Sequence, residues 1–232
     1  MNKNVIISVL VVIVLVAAGY LLLNRKTDTV KPVEQKTDAV ATVNGVAIPK
    51  AAFDAQLATA LTNVKAQGVD VTDATKLAQI KTQVLDDLIG NELINQGVAK
   101  AGIQVTPAEV ETQYQAILKQ AGSAEALAAE LTKNNLTEAQ FRENISKQLA
   151  VQAYLLQNID VKSITVSDAE IAQFYADYSK AQKDAGQKTV PALKELSEQI
   201  KQQITTNKQQ TLIVNFVASL RAAAKVEIAA QS

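Results

Sequence analysis

The sequence predicts a mostly α-helical protein with one small β-hairpin, and three observations support this fold class. Gly and Pro number only 8 and 4 among 232 residues, and aromatic residues make up 4% of the chain. Apolar residues recur at helical spacing over long stretches, and several of these stretches begin with helix-capping sequences. Asn44-Gly45 lies between two short apolar runs, a strong hairpin signal because both turn residues need positive φ.

The composition argues against several classes of function. Lys plus Arg and Asp plus Glu are equal at 23 each, so the formal net charge is zero and no basic stripe predicts binding to nucleic acid. The chain has no Cys, which removes disulfides and thiolate metal sites, and no His, the commonest general base and metal ligand. We therefore expect no cofactor, no metal and no catalytic residue, although a site built from carboxylates or lysine is left open.

The first part of the chain is predicted to be a membrane anchor. Val5–Leu23 carries no charge and is just long enough to cross a bilayer as a helix. A cleaved secretory signal is the alternative, with Val16 and Ala18 before the cut, but Tyr20–Leu23 continues the apolar run past that point. Positive residues are more numerous on the carboxyl side of the span, so charge does not support an exported orientation.

A polar tether is predicted to join this span to a folded domain. Thr27–Val40 mixes charged and β-branched residues around one Pro and lacks periodicity. The predicted organisation is a tail at residues 1–4, an anchor at 5–23, a linker at 24–40, a folded domain at 41–228 and a tail at 229–232.

The folded domain is predicted to begin and end in one small sheet. Thr42–Ile48 forms the hairpin, and two strands this short need a third strand or a helix to be stable. Lys225–Ile228, near the other end of the chain, is the predicted third strand. The two ends of the domain would then meet.

Two helices are predicted directly after the hairpin. Pro49 opens the first, which runs to about Gln67. Thr72 or Asp73 caps the second, which ends at Gly102. The apolar stripe of this second helix consists of Leu77, Ile80, Val84, Leu88 and Ile89.

Three further helix starts follow one design. Each has a hydroxyl residue followed three positions later by Glu or Gln, which is the capping-box pattern: Thr106–Glu109, Thr137–Gln140 and Ser167–Glu170. Ile103–Tyr114 and Ile164–Tyr175 match more fully, Tyr included, so either duplication or convergent capping chemistry explains them. The last helix, from about Val190 to Ala224, could span about 50 Å at 1.5 Å per residue.

These segments, in their order along the chain, resemble the SurA-type chaperone domain that is shared with the PpiD and PrsA foldases. The segments are Val43–Gly45, Val84–Ile89, Gly102–Val110, Leu136–Phe141, Ile145–Gln157, Val166–Ile171 with Tyr175, and Ala224–Ile228. The resemblance covers about Ala41 to Ile228. It implies a multi-helix cradle that binds unfolded, apolar-rich polypeptides on the extracytoplasmic side of the cell membrane.

The sequence departs from the family's pattern at two places. Full-length relatives carry a parvulin-type isomerase module between the lead-in helix and the closing helix, whereas here only Ala181–Thr189 joins them. The histidines of that module are absent as well, so prolyl isomerase activity is not expected. Pro49 stands where relatives have a Ser or Thr cap.

Candidate contacts to a polypeptide client are the aromatic residues of the later helices: Tyr114, Tyr154, Phe174, Tyr175 and Tyr178. For any one of them, ordinary packing between helices is the alternative. Asp86 and Asp87 are adjacent on a helix and diverge by about 100°, so they do not form an acid pair. An isomerase-family foldase with an unrecognised site, and an adaptor that docks one envelope partner, are the two rival functions. The sequence does not predict the oligomeric state.

Overall fold

The computed structural model describes residues 38–187 and 189–229, and it is mostly helical with one small sheet. The predicted anchor at Val5–Leu23 and nearly all of the predicted linker lie outside these residues. Within the described part of the chain, no helix has the length and apolar character that a membrane span requires.

Seven α-helices and three strands make up this fold over the described residues. In chain order they are β1 Ala39–Val43, β2 Val46–Pro49, α1 Lys50–Ala66, α2 Ala74–Ala101, α3 Pro107–Ala121, α4 Ala124–Lys133, α5 Glu138–Asn158, α6 Asp168–Asp184, α7 Leu193–Ala223 and β3 Val226–Ile228. A short 3₁₀ turn, Val161–Ser163, lies between α5 and α6.

The chain divides into two compact units, and two long helices run through both. Among the described residues, the first unit comprises 38–155 and 217–229, and the second comprises 156–216. The first unit therefore holds the sheet, α1 to α4 and most of α5, and the second holds α6 and most of α7.

The three strands form an antiparallel sheet in which β1 is central, in the order β2-β1-β3. The third strand and the meeting of the domain ends are thus confirmed. Asn44 and Gly45 have φ of 52° and 86°, as the hairpin prediction requires. β1 begins at Ala39, three residues before the predicted start of the hairpin.

Asn44 also ties the hairpin to β3 and to α2. Its backbone N–H donates to the Lys225 carbonyl at 2.8 Å, and its side-chain oxygen accepts from the Lys225 N–H at 2.9 Å. Its side-chain NH₂ donates to Gln96 Oε1 at 2.8 Å, and Gln96 in turn donates to the Val43 carbonyl at 2.9 Å. This network fixes the turn against β3 and α2.

The core of the first unit lies between one face of the sheet and helices α1 and α2. Its buried members are Ala41, Val43, Ile48, Phe53, Val84, Leu85, Leu88, Ile89 and Leu93. The predicted stripe of α2 supplies the centre of this core, because Ile89 is 0% exposed. Leu220 and Val226 pack against it from the other end of the chain.

The three predicted capping-box starts are confirmed, and one helix was not predicted. Both hydrogen bonds of the capping box are present at Thr106 and at Ser167, and Thr137 exchanges the equivalent bonds with Gln140. Asp73, rather than Thr72, caps α2. The unpredicted helix is α4, which Ser123 caps by accepting the Ala126 N–H.

Two helix starts need separate comment: α1 lacks a side-chain cap, and α7 begins later than predicted. Pro49 precedes α1 without any side-chain cap, as the departure from the family pattern indicated. The last helix begins at Leu193 rather than near Val190. Val190 precedes Pro191, and the residue before a proline is disfavoured in the α region, so the helix begins after both.

Candidate polypeptide-binding surface

Helix α6 presents an apolar stripe that the rest of the protein covers only in part. Ile171, Phe174, Tyr175 and Tyr178 lie at helical spacing and are all half-buried, and no residue of α6 is fully buried. An amphipathic helix in a closed domain normally buries such a stripe. We call these four side chains the α6 stripe, and it includes three of the five aromatic residues that the sequence suggested.

A small hydrogen-bond network around Glu170 fixes the start of α6. Ser167 caps the helix, and the Glu170 carboxylate accepts from the Ser167 backbone N–H at 2.9 Å. Lys208 of α7 donates to Glu170 at 2.5 Å and to the Thr165 carbonyl at 2.7 Å. The stripe therefore begins at a defined position relative to α7 within the second unit.

Within this stripe, the Tyr175 hydroxyl has a specific partner. Its hydroxyl donates to the Pro191 carbonyl at 2.9 Å, in the segment between α6 and α7. This bond holds the ring against its own unit and satisfies the polar end of the side chain. Phe174 and Tyr178, one turn apart, are the two remaining aromatic residues of the stripe.

The same unit also exposes two large aliphatic side chains. Leu156 at the end of α5 is 56% exposed, and Val214 of α7 is 64% exposed. Sequence reasoning missed both because it followed aromatic residues. The signal was present in the run Leu212-Ile213-Val214, since three consecutive apolar residues point to most sides of a helix and cannot all face one core.

Tyr114 occupies the matching position of the sequence repeat, but its surroundings differ. It packs edge-on against Phe141, with ring centroids 6.2 Å apart, and the Arg142 guanidinium carbon lies 3.8 Å from its ring centroid. Arg142 also pairs with Glu111 at 2.6 Å and with Glu138 at 2.8 Å. Tyr114 thus joins α3 to α5, and one face of its ring is occupied by a cation.

Tyr154 is the candidate that the structure places in the interior. It is 7% exposed and belongs to α5 within the first unit. A Cβ built at Gly97 of α2 would lie 2.3 Å from Tyr154 Cζ and Oη, so the ring fills the space that this glycine leaves. This burial favours the alternative of packing between helices over contact with a client.

Asp86 and Asp87 bind different partners. Asp86 accepts from Arg221 at 2.6 Å, and Asp87 accepts from Gln83 at 2.8 Å. Burial raises the pKa of Asp87, and the neighbouring charge of Asp86 adds to that effect. In residues 38–187 and 189–229 no group of three or more acidic side chains is arranged to hold a metal ion.

The hydrogen bonds to the Glu170 carboxylate are expected to lower its pKa. Hydrogen bonds from Lys208 first, and then from Ser167, lower the pKa of Glu170 from 4.5 to about 2. A lowered folded-state pKa contributes stability that is complete above 4.5 and is lost as the pH falls towards 2. We expect Lys208→Met to raise the pKa of Glu170 but to leave it below 4.5, because the Ser167 bonds remain.

An NMR pH titration of the Glu170 side-chain carboxyl carbon measures this pKa directly. Lys201→Met is the matched control, since Lys201 lies on the same helix and no ion pair joins it to another described residue. The control should leave the Glu170 titration unchanged. An unchanged titration in Lys208→Met would show instead that the Lys208 contact is not formed in solution.

Comparison with known proteins agrees with the fold. A sequence model of the family described as SurA-like N-terminal domain matches residues 1–155. The chain is 30% identical over 152 residues to the chaperone SurA of Hydrogenovibrio crunogenus, covering 62% of this chain and 32% of that protein. The chain thus spans about a third of the length of this curated relative.

A solved structure extends the comparison beyond the residues that the family model matches. It comes from work on two structurally related SurA-like chaperones of Campylobacter jejuni, the virulence factor PEB4 and the periplasmic protein Cj1289. The TM-score is 0.52 at 14% sequence identity, over 84% of this chain and 100% of that chain, which shows a likeness of fold. Because the family model covers more than half of the sequence, this protein belongs to the family of SurA-like N-terminal chaperone domains.

Proposed function

We propose that this protein is a membrane-anchored chaperone that binds unfolded or newly exported polypeptides outside the cytoplasm and performs no catalytic chemistry on them. The observation that carries the proposal is the α6 stripe, a set of apolar side chains at helical spacing of which none is fully buried. Apolar side chains that a fold covers only in part favour the binding of other chains. Phe174 and Tyr178 are the contacts we assign to the client, with Leu156 and Val214 of the same unit adding apolar surface.

A shallow apolar surface fits a client that has no fixed structure. It gains affinity from the area that it covers rather than from matched polar groups, so it tolerates many sequences. Binding the unfolded state withholds it from aggregation by mass action, without any reaction. Membership of the SurA-like family supports a chaperone role of this kind.

The location is proposed from the sequence together with the relatives. Val5–Leu23 supplies an apolar run of membrane-spanning length. One of the two SurA-like chaperones in the structural comparison is described as periplasmic, which supports an extracytoplasmic domain with the span holding it at the cell membrane. A tether raises the local concentration of chaperone where exported chains emerge. Protease added to intact spheroplasts should therefore remove the domain while leaving cytoplasmic proteins untouched.

The function is tested by aggregation assays with the full chain in a mild detergent. We expect light scattering from several unrelated unfolded proteins to fall at near-stoichiometric amounts of the wild type. The double variant Phe174→Ser/Tyr178→Ser should need about tenfold more protein for the same effect, because two apolar contacts of on the order of 0.7 kcal/mol each are lost.

Ala172→Ser/Ala176→Ser is the matched control, since it introduces the same residue type at exposed positions of the same helix. It should protect clients as well as the wild type does. Protection of no unfolded protein by the wild type would contradict the proposal and favour an adaptor with one specific partner. Acceleration of prolyl isomerisation in a test peptide would favour a foldase instead.

A further inference from the structure

The edge strand β3 carries backbone hydrogen-bonding groups that no other described residue of the protein uses. β3 pairs with β1 on one side only, since the sheet order is β2-β1-β3. Two bonds fix which residues face β1. The Asn44 N–H donates to the Lys225 carbonyl at 2.8 Å, and the Ala229 N–H donates to the Val40 carbonyl at 3.0 Å.

Bonding direction alternates along an antiparallel strand, so the residues between these two can be assigned. Glu227 faces β1, together with Lys225 and Ala229, whereas Val226 and Ile228 direct their N–H and C=O groups away from the sheet. No hydrogen bond joins these outward groups to another residue in the described part of the chain. Ile228 is also 51% exposed, although it lies opposite the buried Ala41 of β1.

The opposite edge of the sheet is blocked in the way that natural sheets usually block their edges. Val46 and Ile48 of β2 face β1, which leaves Ala47 as the outward residue before Pro49. Proline has no N–H and cannot extend a ladder, and it is a common means of preventing strand addition. β3 carries no such block, and its outward residues are both β-branched and apolar.

We propose that the outer edge of β3 accepts an extended apolar segment of an unfolded client as a fourth strand of the sheet. This inference rests on the chaperone function proposed above and gives it a second, main-chain mode of binding. Main-chain hydrogen bonds do not depend on the client's sequence, and such strand addition is a recurring mode of peptide recognition.

The size of the edge selects this occupant over a second copy of the chain. A stable dimer buries at least about 1,000 Å² in total, whereas three residues of one strand offer a small fraction of that area. A flexible client segment needs no such area, because it adds to the sheet as one short strand and dissociates again. Weak, reversible capture is what a chaperone requires of each contact.

Two variants of Ile228 distinguish the contribution of its backbone N–H to client binding from the contribution of its side chain. Ile228→Pro removes the outward N–H and places a ring in the path of an added strand, while the bonds to β1 made by its neighbours remain. Ile228→Thr keeps the N–H and the β-branched shape. The probe is a fluorescein-labelled peptide of alternating Val and Thr flanked by Lys, and its anisotropy is measured with the full chain in a mild detergent.

We expect Ile228→Pro to weaken peptide binding about tenfold, which corresponds to the loss of one or two hydrogen bonds. Ile228→Thr should weaken it by no more than about threefold, since only part of the apolar side chain is lost. Equal affinity of the proline variant and the wild type would overturn the proposal.

Amide hydrogen exchange of the wild type, read residue by residue by NMR, tests the same edge without any variant. The peptide should slow exchange at Val226 and Ile228 while leaving Glu227 as slow as before, because Glu227 already bonds to β1. Slow exchange at Val226 and Ile228 in the free protein would mean that the edge is already occupied, and the proposal would fail. If the wild type protects unfolded proteins while β3 stays unaffected by the peptide, the edge proposal alone is wrong and the chaperone function stands.

Discussion

Replacing Ile89 by alanine is expected to lower the free energy of unfolding by about 3 kcal/mol, within the range of about 2–5 kcal/mol for buried Ile→Ala changes. Ile89 is 0% exposed and lies among the side chains that join the sheet to α1 and α2. The loss has two parts, the transfer energy of the deleted methyl groups and the cavity that remains. Urea unfolding followed by circular dichroism at 222 nm measures it.

Ile228→Ala is the matched control, since it makes the same chemical change at a residue that is 51% exposed. We expect it to cost less than about 1 kcal/mol, because half of the side chain is already in water. Similar losses in the two variants would mean that Ile89 does not lie at the centre of the core. The comparison therefore tests the placement of α2 beneath the sheet.

Most elements of the fold could be predicted because local signals in the sequence agreed with one another. Asn44-Gly45 fixed the hairpin through its need for positive φ, and the capping boxes at Thr106 and Ser167 fixed two helix starts. Such signals depend only on a few neighbouring residues, so they do not require knowledge of the tertiary fold. Helix α4 lacked a comparable signal, since a single Ser123 after Gly122 is a weak start.

The candidate surface was less predictable, because burial depends on residues distant in sequence. Tyr114 and Tyr175 occupy the same position of a sequence repeat, yet Tyr114 lies beneath Arg142 whereas Tyr175 bonds to Pro191. Tyr154 resembled the other aromatic candidates and is buried. A one-dimensional pattern identifies which side chains can bind a client, but packing against other helices decides which of them remain accessible.

The accessible apolar groups lie on elements that do not supply the centre of the core. The α6 stripe belongs to a helix with no fully buried residue, and Ile228 lies at the end of an edge strand. The centre of the core is supplied by α2 and β1 instead. Substitutions on α6 and β3 can therefore change client binding with little change in the stability of the first unit, which makes binding and folding separable by mutation.

The second large effect is expected at Gly97, where alanine should lower the free energy of unfolding by about 1–3 kcal/mol through overpacking. Helix propensity alone predicts the opposite, a gain of about 1 kcal/mol for Gly→Ala inside a helix. The clash should prevail because the new Cβ would lie 2.3 Å from Tyr154 Cζ and Oη, and Tyr154 is 7% exposed with little room to move.

Removing the Tyr154 ring should reverse the sign of this effect. In a Tyr154→Leu background the added methyl no longer meets an aromatic ring, so Gly97→Ala should stabilise the protein by up to about 1 kcal/mol. A double-mutant cycle measured by urea unfolding would then give a coupling energy of about 2 kcal/mol or more between the two positions. The same sign in both backgrounds would mean that α2 and α5 do not pack through this glycine. A reversal would explain why a helix of 28 residues keeps a glycine in its interior: it is the position at which α5 approaches with a tyrosine.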